Sequence, residues 1–126
     1  MTPTYRELDV VVVRTLLVPT RNVTGTDLVV RQPRVGDQGA IVHVLPSEHC
    51  VVECVDSSGL TSWSADFHVD ELAPPLNRWT FDVREVSASV YRAVGSGPRN
   101  MHVESTDPDP DKALADCRAF ALRYPE

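Results

Sequence analysis

"RVGDQGAIVHV", Arg34 to Val44, decides how this chain is read. Gly36 and Gly39 bracket Asp37. Glycines so closely spaced mark a tight turn in which a side chain would clash or φ must be positive. Ile41, Val42 and Val44 follow at once, with the β-branched character and short length of a strand. The stretch reads as a diverging turn running into the second strand of a small barrel. It shapes backbone and brings no evident catalytic group.

Strand signals lie on both sides of it. "ELDVVVVRTLL" (7–17) precedes the turn, and "HCVVECVD" (49–56) and "TSWSADFHV" (61–69) follow "GAIVHVL" (39–45) at short spacing. Alternation in the third of these puts Cys50, Val52 and Cys54 on one face and Glu53 on the other. "DSSG" (56–59) joins two strands: Asp and Ser bond their own backbone, and Gly supplies positive φ. A long connection, "PTRNVTGTDLVVRQP" (19–33), carries "DLVV", read here as a short extra strand.

The pattern breaks at "LAPPLNR" (72–78), where two prolines end whatever precedes them. Beyond it, "WTFDVREV" (79–86), "SVYRAVG" (89–95) and "NMHVEST" (100–106) read as three antiparallel strands, the last two joined by "GSGPRN" (95–100). "DPDPDKALADCRAFALRY" (107–124) then reads as a helix capped by Asp109, with Pro110 in its first turn and Asp111 against the positive dipole end. Ala113, Cys117, Phe120, Ala121 and Tyr124 form its apolar stripe, with Leu114 at the edge. Trp79, directly after the break, is expected to pack the two units together. The expected fold is α+β: a small SH3-like β-barrel over residues 1–75, then a β-β-β-α domain over 76–126.

Two resemblances follow from these motifs. "LDVVVV", "VGDQGAIVHV", "VVECVDSSG" and "VDEL", in that order over about residues 8–73, resemble a small bacterial family known as domain of unknown function 4926. The resemblance implies an SH3-type barrel of about five short strands. This chain departs from the family pattern in its longer 19–33 connection and in Cys54, which stands where an aromatic is usual. Residues 79–124 are similar in layout to HicB-like antitoxin domains, whose helix start "ESTDPDPDKALADC" resembles.

Charge bounds the function. The chain of 126 residues carries a net charge of −6. Residues 1–76 hold five basic and ten acidic side chains, and residues 77–126 hold seven and eight. Binding a phosphate backbone normally takes a basic stripe, and none is visible. The longest uninterrupted valine run, Val10 to Val13, is far too short to span a bilayer, and no secretory leader is recognised. Three cysteines without scaffold spacing point to buried thiols and a reducing, cytoplasmic setting.

Candidate chemistry is sparse. Cys50 and Cys54 lie near His43 and His49, but on an extended strand the thiols stand about 13 Å apart, too far for one zinc ion. They are expected in the core, with no metal and no cofactor. The four histidines are scattered and are read as surface or strand-edge residues. Ser57 and Ser58 lack the flanking pattern of a nucleophile turn. "DPDPD" lacks the glycine and terminal glutamate of a calcium loop.

Trp63 and Phe67 share parity on the fourth strand and have two readings, core packing or a partner groove. In the groove reading, Arg21 and Arg31 of the long connection add donors for an acidic partner, so the partner-binding set is Arg21, Arg31, Trp63 and Phe67. The expected function is a non-catalytic protein-interaction module, an antitoxin, immunity or accessory protein of a small two-gene system. The alternative is a nucleic-acid-binding SH3-like barrel, which the acidic first half disfavours. A protein partner is expected, nucleic acid and membrane are not, and self-association is compatible with the sequence.

Overall fold

A computed structural model of the chain describes residues 4–124. They divide into two compact units, with the boundary between Pro75 and Leu76. The architecture is α+β: a curled five-stranded antiparallel sheet forming a half-barrel, then a three-stranded antiparallel sheet with one C-terminal helix.

In the first unit, β1 (Val10–Val13), β2 (Gln38–Leu45), β3 (His49–Val55), β4 (Thr61–His68) and β5 (Leu72–Ala73) are ordered β4-β3-β2-β1-β5. The opening segment behaves as its glycines require. Gly36 has φ 94°, and a Cβ on Gly39 would sit 2.5 Å from the Glu53 carbonyl oxygen on β3. A register shift between Ile41 and His43 bends β2, curling the sheet. Ile41 points into the core while Val42 and Val44 are exposed.

The alternation read in β3 places Cys50, Val52 and Cys54 in one apolar core with Val11, Val13, Trp63, Phe67 and Leu72. Asp56 closes the β3–β4 hairpin, its carboxylate accepting from the amides of Ser58 and Leu60. Gly59 supplies φ 85°. A 3-10 turn at Val69–Glu71 leads into β5.

"DLVV" is not a strand. It is a turn in which the amides of Val29 and Val30 donate to the Thr26 carbonyl. Leu28 stands in the left-handed region at φ 76°, which is incompatible with a ladder.

In the second unit, β6 (Thr80–Ser87), β7 (Val90–Ser96) and β8 (His102–Asp107) are ordered β6-β7-β8, and α1 spans Pro110–Ala121. The Asp109 carboxylate caps α1 by accepting from the Asp111 amide, and Lys112 pairs with both Asp107 and Asp116. Ala113, Cys117 and Ala121 are buried against Ala93 and Val103. Phe120 departs from the expected stripe and is exposed, while Ala115 is buried. With small residues facing the sheet, the helix lies close to it.

Trp79, expected between the units, belongs to the core of the second. Its ring stacks on Phe81 at 6.1 Å and meets Tyr124 at 5.8 Å. A Cβ on Gly97 would come within 2.5 Å of the indole, so glycine is required where the backbone passes over it.

Candidate functional site

The connection Pro19–Pro33 is a strap along β4, one of the two outer strands of the first sheet. Thr24 and Ser64 exchange backbone hydrogen bonds at 3.1 and 2.7 Å. The amides of Thr26 and Arg31 donate to the carbonyls of Thr61 and Ser62. An exposed edge strand is a template for unwanted pairing, and this strap covers it. A Cβ on Gly25 would come 2.8 Å from the Thr61 carbonyl oxygen, which the close approach forbids.

Two arginines fasten the strap to buried carboxylates. Arg21 makes a bidentate pair with Glu71, Nη2 to Oε2 at 2.5 Å and Nη1 to Oε1 at 3.1 Å, and donates to the Asp66 carbonyl. Its guanidinium lies 4.2 Å over the Phe67 ring. Gln32 ties the far end of the strap back, its side chain accepting from the Arg21 amide and donating to the Arg21 carbonyl. Arg31 pairs bidentately with Asp37, Nη1 to Oδ2 at 2.8 Å and Nη2 to Oδ1 at 3.0 Å. Asp37, 2% exposed, also accepts from the Trp63 indole Nε1 at 2.9 Å and the Arg34 amide at 2.8 Å. Four donors on one buried carboxylate satisfy the charge that burial would otherwise penalise.

Glu71 is held in the same manner. Burial pushes its carboxyl up, but the Arg21 side chain and the amides of Leu17 and His68 outweigh that and hold it below its usual range. The four expected partner residues are thereby placed. Trp63 and Phe67 are both 0% exposed with rings 5.2 Å apart, so core packing is the reading the structure shows. Arg21 and Arg31 stand beside them, engaged with internal carboxylates.

Two features escaped the sequence reading. Asp37 had been given a backbone role only, yet it anchors a network joining turn, strap and core. His49 and His68, read as scattered, are cross-strand neighbours whose rings meet edge-on at 5.2 Å. His49 Nδ1 lies 2.7 Å from Asp66, and His68 Nδ1 accepts from the Asp70 amide. Among the described residues, no group of three or more His, Cys, Asp or Glu could hold a metal ion.

A hollow of about 250 Å³ beside them is lined in part by Tyr5, His49 and Cys50. Burial, reinforced by Asp66, pushes the Cys50 thiol up, so it is protonated and a poor nucleophile at neutral pH.

Among largely polar exposed residues, the tip of the strap offers an apolar side chain to solvent. Leu28, at the tip of the Thr26–Val30 turn, is fully exposed (103%). Val30 on the same turn, and Leu17 and Val18 just before the strap, are exposed as well. A bulky side chain at positive φ is a strained choice, about 1–2 kcal/mol above the right-handed alternative. The riveted flanks hold it there. No family model, curated protein or solved structure matches this chain.

Proposed function

We propose that this chain is a non-catalytic protein-interaction module that presents Leu28 on a pre-ordered strap to a protein partner. The observation that carries the reading is Leu28: a fully exposed leucine in left-handed backbone, at the tip of a loop fastened by two arginine–carboxylate pairs. Interfaces draw their affinity from a few anchor side chains, and a loop already ordered loses little entropy on docking. The docking surface in this reading is the strap tip, which keeps the 19–33 connection expected from sequence and leaves out the Trp63–Phe67 strand, whose two rings are buried.

The setting we propose is the bacterial cytoplasm, as the antitoxin, immunity or accessory component of a two-gene system. Three buried free thiols suit a reducing compartment. Among the described residues no helix is long and apolar enough to cross a membrane. Nucleic-acid binding by the half-barrel is disfavoured, because two of its five arginines are committed to buried carboxylates in an already acidic unit.

The test is comparative affinity capture from the native host with the parent chain and Leu28→Gly, which the backbone accommodates. A partner retained by the parent and lost from the variant, with unchanged melting behaviour, supports the proposal. Identical captured sets would refute it.

A further inference from the structure

The second unit carries a groove independent of the strap. On the three-stranded sheet, Arg84 of β6 and Arg92 of β7 are direct cross-strand partners. Alternation places them on the face opposite Phe81, Val83 and Ala93, which pack toward the helix-side core. Like charges directly opposite one another destabilise a sheet pair. The acids of this face do not relieve them fully. Asp82 takes only Arg84 Nε, at 2.7 Å, and Glu104 faces His102. The Arg92 guanidinium has no hydrogen-bond or ion-pair partner among the described residues. In a chain of net charge −6, an unneutralised arginine at the centre of a sheet face is unexpected.

The two arginines line a shallow groove of about 350 Å³ that also takes in Val86 and Val94. Beside the groove β6 is an edge strand of its sheet, with most of its residues exposed. An edge strand offers backbone donors and acceptors for one further strand, whose side chains would repeat every second residue along Asp82, Arg84 and Val86.

We propose that this groove binds an acidic, extended segment of a partner protein, added along β6. A carboxylate of that segment bridges Arg84 and Arg92, and flanking apolar side chains rest on Val86 and Val94. Guanidinium forks match carboxylates geometrically, and the unused Nη groups of Arg84 and the whole Arg92 fork are the donors. A nucleic-acid strand fits less well. A continuous phosphate backbone sets a charge against Asp82 and Glu104 as well as the arginines, whereas a peptide can place a single carboxylate at Arg84 and Arg92. Among the described residues of this face no aromatic ring is offered to a base: Phe81 faces the core side and is stacked on Trp79.

The probe is a fluorescein-labelled Val-Thr-Glu-Thr-Val-Thr peptide, whose Glu and two Val share one face of a strand, titrated into the full chain at low salt and followed by anisotropy and by amide NMR shifts. Binding with shifts confined to β6 and β7, about tenfold weaker for Arg92→Gln and about a hundredfold weaker for Arg84→Gln/Arg92→Gln, is the expected result. Both side chains lie on an open face and oppose one another as like charges, so the variants melt at or slightly above the parent temperature. Binding no tighter than that of the same peptide with Gln in place of Glu overturns the proposal. So do shifts centred on the strap, equal competition by inorganic phosphate, or tighter binding of oligo(dT) that the same variants abolish.

Discussion

Trp63 donates its indole N–H to Asp37 at 2.9 Å inside the half-barrel core, and the same oxygen receives Arg31. A ring that sequence left between core and partner groove is thus the internal ligand of a carboxylate that also pins the strap. Asp37→Ala is expected to destabilise the chain by about 3–5 kcal/mol, because it strands a partly buried guanidinium and an indole donor together. Urea unfolding followed by tryptophan emission measures this. A loss under 1 kcal/mol would show that the network is dispensable.

The Glu71 pair gives stability a defined acid dependence. Its folded carboxyl sits below the ordinary value of 4.5. The stabilisation is therefore complete above about pH 4.5 and is lost as pH falls through the lower folded value. Glu71→Gln should be less stable at pH 7 by about 3 kcal/mol, leaving Arg21 without its counter-charge. Its urea midpoint should also fall less steeply than the parent's between pH 5 and 3. Parallel curves for the two proteins would contradict the assignment.

Leu28→Gly is expected to leave stability unchanged or raise it by up to about 1.6 kcal/mol. Relief of left-handed strain, about 1–2 kcal/mol, exceeds the freedom that glycine adds to the unfolded chain, about 0.4–1 kcal/mol. Thermal melts of the variant decide it; a fall of several degrees would mean the leucine is packed rather than presented.

Gly39 and Gly59 should respond differently to alanine. At Gly39 the new methyl meets the Glu53 carbonyl at 2.5 Å and Val52 Cγ1 at 2.9 Å, forcing β2 from β3 at about 1–3 kcal/mol. At Gly59 there is open space, and only the φ of 85° resists, at about 1–2 kcal/mol. Denaturant midpoints rank the two, and a larger loss at Gly59 would overturn the packing argument.

The thiols should be silent in the native state. Burial pushes Cys117 up to about 11 despite the opposing pull of Arg118, with Glu104 adding to the rise. Native protein at pH 8 should release little colour with a disulfide reagent, and denatured protein should react at three sites. Rapid native labelling of Cys117 would contradict its burial.

The α+β architecture was legible because local signals agreed with one another. The Gly36–Gly39 turn, the alternation in Cys50–Val52–Cys54 and the Asp109 cap each act within a few residues, and each appears where its own chemistry puts it. The strap was legible as a long connection but not as an ordered one. Arg21 finds Glu71 fifty positions away, and Arg31 finds Asp37 across a turn whose shape only the finished sheet defines. Neither pairing has a spacing that sequence can reveal. Trp63 and Phe67 were ambiguous for a related reason: parity assigns a shared face but not which side is the interior. Leu28 was passed over because a Leu-Val-Val run looks like strand, and the left-handed turn at Thr26–Val30 is set by docking against β4.

The strap also imposes an order of events. Its fastenings reach Thr61, Ser64, Asp66 and Glu71, which exist as a surface only once the β3–β4 hairpin and the following 3-10 turn have formed. The loop that closes last is the one that can detach alone, at a free energy below that of global unfolding. The amides of Thr24, Thr26, Arg31 and Ser64 would then exchange with solvent as a single group, earlier than those of β2 and β3. In that detached interval β4 is briefly bare, and its lifetime sets how often one copy of the chain could lend its strap to another.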